Sequence, residues 1–142
     1  MERGALEKIT LKGRKIVEGR VEGEALVTKD PISFMGSINP KTGYVIEHGH
    51  EIEGQCLKGK ILVFPQSKGS TGGSYMLFDV VKNGVGPVGI INKEAESIVV
   101  IGAIVAELPM VDRVEIEQIE TGDHVVLDAF QGIVEITKKQ YK

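Results

Sequence analysis

Residues 59–84, GKILVFPQSKGSTGGSYMLFDVVKNG, constrain the fold more than any other stretch, because they join a buried strand to an amphipathic helix through a glycine-rich turn. Residues 60–64 are a short apolar run closed by Pro65, the pattern of a strand covered on both faces. Residues 66–74 then hold three glycines and the hydroxyl side chains of Ser67, Ser70, Thr71 and Ser74. Met76, Leu77, Val80 and Val81 recur at helical spacing, and Asn83-Gly84 is a helix stop. A second apolar run, PVGIIN at residues 87–92, follows. Strand, helix, strand in that order is a βαβ unit, whose strands pair in parallel through a right-handed crossover. The fold class is therefore α/β.

The flanking chain reads as many short strands around this unit. Residues 8–11 and 14–17 are short β segments, and residues 20–27 alternate Val21, Ala25 and Val27 with charged positions, with Gly23 as a bulge. Residues 39–43, NPKTG, have turn chemistry, and Tyr44, Val45 and Ile46 make a brief strand. Residues 94–106 fit a strand by their β-branched content and a buried helix by their length, and we read them as a helix. Residues 108–112 lead to a strand, Val114 and Ile116 begin an alternating run, and residues 124–128 and 132–137 are the last strands. Residues 138–142 form a charged tail that needs no fold. With no repeat and no linker, the expectation is one domain over residues 1–142 with about two helices.

Composition narrows the function. No apolar run approaches the ~18 residues that cross a membrane, and the N-terminus intersperses charges among its apolar residues, unlike a secretory signal, so a cytoplasmic protein without a membrane role is expected. A net charge of -3 and 5% aromatic residues argue against a nucleic-acid surface of basic stripes and stacking platforms. Cys56 is the only cysteine, which excludes an internal disulfide and any iron-sulfur cluster held by this chain's thiolates alone. It has no base or second cysteine at motif spacing and reads as a plain small residue. His48 and His50 lack a third ligand of clear spacing, so solvated loop histidines, and no metal, are expected.

The turn at residues 66–74 is the chemical centre. A strand entering a helix through such a loop leaves orphan backbone N–H groups, where hydrogen bonding and the helix dipole both favour an anion. By spacing, Ser70 reads as the helix N-cap. To act as a base its hydroxyl must lose a proton, which requires a site that stabilises the alkoxide. No G-x-S-x-G pattern spans Ser70, so a hydrolytic triad is not indicated. Lys68 reads by default as a surface lysine, the alternative being that it holds an anionic substrate group. The residues alone give an anion-friendly loop and no complete active site.

The run GSINPKTGYVIEHGHEIEGQCLKGKILVFPQSKGSTGGSYML, continued by PVGIIN and IGAIVAELPMVD, resembles the small subunit of the aconitase X family, over about residues 19–134. Its most specific pieces are Asn39-Pro40 with Thr42-Gly43, the strand from Gly59 to Val63, and Gly69-Ser70-Thr71 followed by Ser74-Tyr75. The resemblance implies a swivelling β/β/α domain like the mobile fourth domain of aconitase, with a barrel-like β core. It implies a heterodimer with a large aconitase-like subunit carrying an iron-sulfur cluster (4Fe-4S). In aconitase-like enzymes the cluster's open iron binds the substrate hydroxyl as a Lewis acid, and a swivel-domain serine takes a proton from the adjacent carbon. By motif position that serine is Ser70, with substrate-binding roles for Gly69, Thr71, Gly72, Gly73 and Ser74 and for Lys68.

The implied reaction is hydro-lyase dehydration of (R)-5-phosphomevalonate to trans-anhydromevalonate 5-phosphate, in an archaeal mevalonate route to isoprenoids. Dehydration of cis-3-hydroxyproline is the alternative within the family, and a non-catalytic ligand-binding swivel module the alternative outside it. Aconitases and isopropylmalate isomerases follow the serine with Ser and Arg, whereas Thr71 and Gly72 stand here. The missing arginine implies that Lys68 or a basic residue of the partner replaces it, and that the subunit is inactive alone. A phosphohistidine swivel domain shares a Thr-Gly-Gly element like Thr71-Gly72-Gly73, but Met76, Leu77 and Phe78 occupy the region of its histidine.

Overall fold

The computed structural model describes residues 7–69 and 72–139. Eight strands, β1 (Lys8–Lys12), β2 (Arg14–Val17), β3 (Arg20–Val27), β4 (Ile61–Phe64), β5 (Gly89–Asn92), β6 (Met110–Asp112), β7 (His124–Asp128) and β8 (Ile133–Thr137), lie in the order β1-β8-β7-β3-β4-β5-β6-β2. β1 and β2 stand at opposite ends of that order, yet only Gly13 separates them in the chain. The ends must therefore meet, and the sheet closes into a barrel, which leaves no long free edge. At the seam the Gly13 N–H donates to the Gly132 carbonyl at 2.8 Å, and a Cβ on Gly13 would stand 2.5 Å from the Asp112 carbonyl. Only glycine lets the chain pass there. Beside it the Arg14 guanidinium donates twice to the buried Asp112, at 2.9 and 2.8 Å, locking β2 to β6.

β3, β4, β5 and β6 run parallel, and β4 and β5 are the strands of the expected βαβ unit, paired from Ile61 with Gly89 to Phe64 with Asn92. All four residues of β4 are buried, as the apolar run predicts. Their side chains alternate between two cores. Ile61 and Val63 join Ile91, Val111, Leu127 and Val134 inside the barrel, while Leu62 and Phe64 join Ile90, Met110, Leu77 and Ala103 beneath the helices. The helices α2 (Gly73–Lys82) and α3 (Ser97–Ala106) form the third layer. A short turn, α1 (Phe34–Ser37), interrupted by non-helical Met35 and Gly36, packs Phe34 edge-on against Phe64 with ring centroids 6.0 Å apart.

The strands expected at residues 8–11, 14–17, 20–27, 60–64, 124–128 and 132–137 are present within a residue of their bounds, the run PVGIIN contains β5, and the helix read over 94–106 begins at Ser97. Four local expectations are corrected. Gly23 is no bulge, because it pairs with Val125 in an unbroken register from Arg20 to Glu24. Tyr44 and Val45 make isolated bridges to Cys56 and Ile38, with no continuous strand over 44–46. Val114, Ile116 and Ile119 enter the barrel core from a coil and a 3-10 turn (Ile116–Gln118), a spacing that imitates strand alternation. Lys138 and Lys139, read as free tail, are tied to the buried Asp123, by Nζ at 2.6 Å and by a backbone N–H at 3.0 Å.

Candidate functional site

The turn after β4 lies at the carboxyl ends of the parallel strands, the edge where open α/β sheets bind ligands. Several bonds fix its entry. The Pro65 carbonyl accepts from the N–H groups of Lys93 and Glu94, both at 3.1 Å, and Asn92 Nδ2 donates to the Phe64 carbonyl at 2.9 Å. On the other side Ile32 and residues 66–68 pair as short parallel chain: Ile32 N–H donates to the Gln66 carbonyl at 3.2 Å, and Lys68 N–H to the Ile32 carbonyl at 3.0 Å. The Ser67 hydroxyl is buried and donates to Glu96 at 2.8 Å. It is part of the scaffold.

Gly69 has φ +97, in the region that favours glycine, and a Cβ added there would collide with the Ser33 hydroxyl. The Lys68 ammonium is held by Glu47 at 2.8 Å, and Glu47 also accepts from the Ser37 hydroxyl. These two bonds hold the Glu47 carboxyl below the usual range, the Lys68 contact being the larger cause. Lys68 is therefore aimed and countered, a cation kept beside the turn by a loop carboxylate.

α2 begins at Gly73, and its N-cap is Gly72, which has no side chain with which to cap it; the first turn holds no acidic residue. The cap expected at Ser70 thus falls two residues later. Ser70 and Thr71 themselves lie outside the described residues. Gly73 is buried, and a Cβ there would press Ile98 Cγ2 at 3.1 Å, so the close approach of α3 accounts for this glycine. The Ser74 hydroxyl donates to the Ile98 carbonyl at 2.7 Å. What Ser74 offers the turn is its backbone N–H. The start of α2 is thus a set of first-turn amides that no described side chain caps, with Lys68 at the near side, an arrangement that attracts an anion.

Ser33, Ser37, Glu47 and Glu96 are the supporting residues that sequence reasoning missed. They come from distant parts of the chain, Glu47 standing 21 residues from Lys68 and Glu96 29 residues from Ser67, and no motif marks them. His50 is buried, with Nε2 2.9 Å from the Pro31 carbonyl and Nδ1 accepting the Ile52 N–H at 3.3 Å, so both ring nitrogens serve the loop. This differs from the solvated reading. His48 is exposed and meets Glu53 at 3.1 Å, and half-buried Cys56 approaches the Thr42 carbonyl at 3.6 Å.

A sequence profile of the aconitase X swivel domain matches residues 10–136. The chain belongs to the aconitase X swivel-domain family. A crystal structure of aconitase X from Thermococcus kodakaraensis, in its holo form, aligns with a TM-score of 0.90 at 49% identity, over 92% of this chain and 99% of that one. The phosphomevalonate dehydratase small subunit of Methanosarcina acetivorans is 50% identical over 133 residues, 92% of each chain. That of Thermococcus kodakarensis is 51% identical over 126 residues, 89% of this chain and 95% of the relative. The β/β/α architecture anticipated from the resemblance is thereby the fold of this swivel domain.

An iron-sulfur cluster, implied by the aconitase relationship, does not fit this chain's own residues. The sequence has one cysteine, and among the described residues no group of three or more His, Cys, Asp and Glu is gathered as a metal site. Among the described residues no helix is long and apolar enough to cross a membrane.

Proposed function

We propose that this chain is the small subunit of a phosphomevalonate dehydratase, converting (R)-5-phosphomevalonate to trans-anhydromevalonate 5-phosphate with loss of water. The observation that carries the reading is the 50% identity, over 92% of both chains, to a relative bearing that name. The site supports it physically, since a phosphorylated carboxylic acid is a multiply charged anion and the turn offers first-turn helix amides, capped by no described side chain, with Lys68 beside them. Ser70 is the general base: its alkoxide, stabilised by amides of the turn at Gly69, Thr71, Gly72, Gly73 and Ser74, takes the proton from the carbon next to the one bearing the leaving hydroxyl. Lys68 contacts an anionic group of the substrate once Glu47 yields it.

The partner is a large aconitase-like subunit in a heterodimer, and it holds the iron-sulfur cluster (4Fe-4S) on its own cysteines. The subunit by itself is inactive, and the complex works in the cytoplasm. The test is anaerobic co-expression with the large subunit, followed by assay of water loss from (R)-5-phosphomevalonate and from cis-3-hydroxyproline. Turnover of the first supports the assignment. Turnover of the second alone would move the chain to the hydroxyproline branch, and a stable complex active on neither would favour a ligand-binding module.

A further inference from the structure

The exposed side of α3 is apolar where a free surface is normally charged, whereas α2 beside it carries exposed Asp79 and Lys82. α3, SIVVIGAIVA, contains no charged residue. Its inward side, Val99 and Ala103, fills the core beneath the helices, and Gly102 lets α2 approach, with a Cβ there only 3.0 Å from the Ser74 carbonyl. That side alone satisfies the fold. Ile98, Ile101, Ile104 and Val105 nevertheless project from the opposite side, within an arc of roughly 120° at 100° per residue. Ile101, Ile104 and Val105 are 53%, 56% and 58% exposed, and Tyr75 of α2 is 76% exposed.

Between the two helices runs a groove of about 550 Å³ lined by Tyr75, Phe78, Ile98, Ile101 and Val105 with small residues, and no charged side chain lines it. The barrel surface is different, being knitted by pairs such as Lys60 with Glu24 and His124 with Glu22. A helix apolar on both sides belongs in an interior, and a contiguous apolar patch of this kind marks an interaction surface.

The position of the groove selects its occupant. It starts at Ser74 and Ile98, the pair whose hydrogen bond joins the first turn of α2 to α3, and Ser74 is two residues from the N-cap, Gly72. A protein that completes the active site at the turn must approach this same end of α2. A second copy of this chain would cover that end while bringing no cluster ligands. We propose that the groove between α2 and α3, with the exposed apolar side of α3, is the seat of the large subunit, continuous with the catalytic turn. This rests on the proposed dehydratase reading.

The test uses the reconstituted complex and the double variant Ile101→Glu with Val105→Glu. Both positions are exposed, so the isolated variant should keep the wild-type circular dichroism and melting curve. Affinity for the large subunit, measured by calorimetry under anaerobic conditions, should weaken by about 100-fold or more. Phe130→Glu, on the β7–β8 turn and 57% exposed, should leave affinity unchanged. Hydrogen exchange should show residues 74–78 and 97–105 protected on assembly.

Wild-type affinity in the double variant, or an absence of protection there, overturns the inference. So does self-association through this face that persists in the presence of the large subunit. Failure of the wild-type chain to assemble with any large subunit would instead overturn the proposed function.

Discussion

Replacing Gly69 by alanine tests whether the turn is built as described. The residue sits at φ +97, a left-handed conformation that costs a residue with a Cβ about 1–2 kcal/mol. The added methyl also meets the Ser33 hydroxyl, which is anchored by donating to the Met35 carbonyl at 2.6 Å. Displacing it forfeits about 1 kcal/mol of hydrogen bonding. The sum, about 2–3 kcal/mol, corresponds to a fall in melting temperature of roughly 6–12 °C for a chain of this size.

Chemical denaturation of the isolated chain measures the stability loss, and steady-state turnover of the complex measures the accompanying misplacement next to Ser70, expected at 10-fold or more. The Ser33→Gly background separates the two contributions, since there the alanine should cost only the dihedral share, about 1–2 kcal/mol. An equal cost in both backgrounds would refute the steric contact, and no cost in either would refute the conformational argument.

Asp112→Asn replaces a fully buried carboxylate that accepts from Arg14 and from the Ala95 N–H at 2.9 Å, and should destabilise by about 3 kcal/mol in urea melts. Burial alone would push the Asp112 carboxyl up, but the Arg14 and Ala95 bonds outweigh it and hold it below its ordinary value. For Asp123 burial likewise pushes up, and Lys138 with two backbone N–H groups prevails. Such depressed carboxyls stabilise the fold fully above about pH 4, their unfolded value, and lose that contribution as pH falls through the folded value. Wild type should therefore show a steep acid limb below pH 4, flattened in Asp112→Asn. Ser74→Ala should cost about 1 kcal/mol of stability, the hydroxyl bond to Ile98, while turnover stays within a few fold. Lys68→Met should raise KM for the phosphorylated substrate more than it lowers kcat.

Much of this architecture was legible because local pattern and tertiary demand agree. The run ILVF between Lys60 and Pro65 is apolar at every position and is buried at every position, since alternate side chains feed two different cores. Asn83-Gly84 ends α2 where the sequence places the stop, with Gly84 at φ +76. The misreadings have equally local causes. Val114 and Ile116 alternate like a strand, but the chain there leaves β6 and turns, so the same spacing serves a 3-10 turn that plugs the barrel.

Closure came only through the family resemblance, because nothing in residues 8–17 themselves says that two strands one residue apart belong at opposite ends of the sheet. At the site, the glycines announce a turn but not what surrounds it. Glu47 holds Lys68 from 21 residues away, and Ser33 backs Gly69 from a loop with no motif. Such contacts are set by where the loops land on the parallel strands, a tertiary fact that no window of sequence carries.

The central claim is that the turn after β4 supplies the base for a reaction completed by the large subunit. Ser70→Ala in the anaerobically reconstituted complex tests it most directly, with assembly and cluster content verified against wild type. The account predicts intact assembly and a fall in kcat for (R)-5-phosphomevalonate of about 100-fold to 10,000-fold. Full turnover by the variant complex would contradict it.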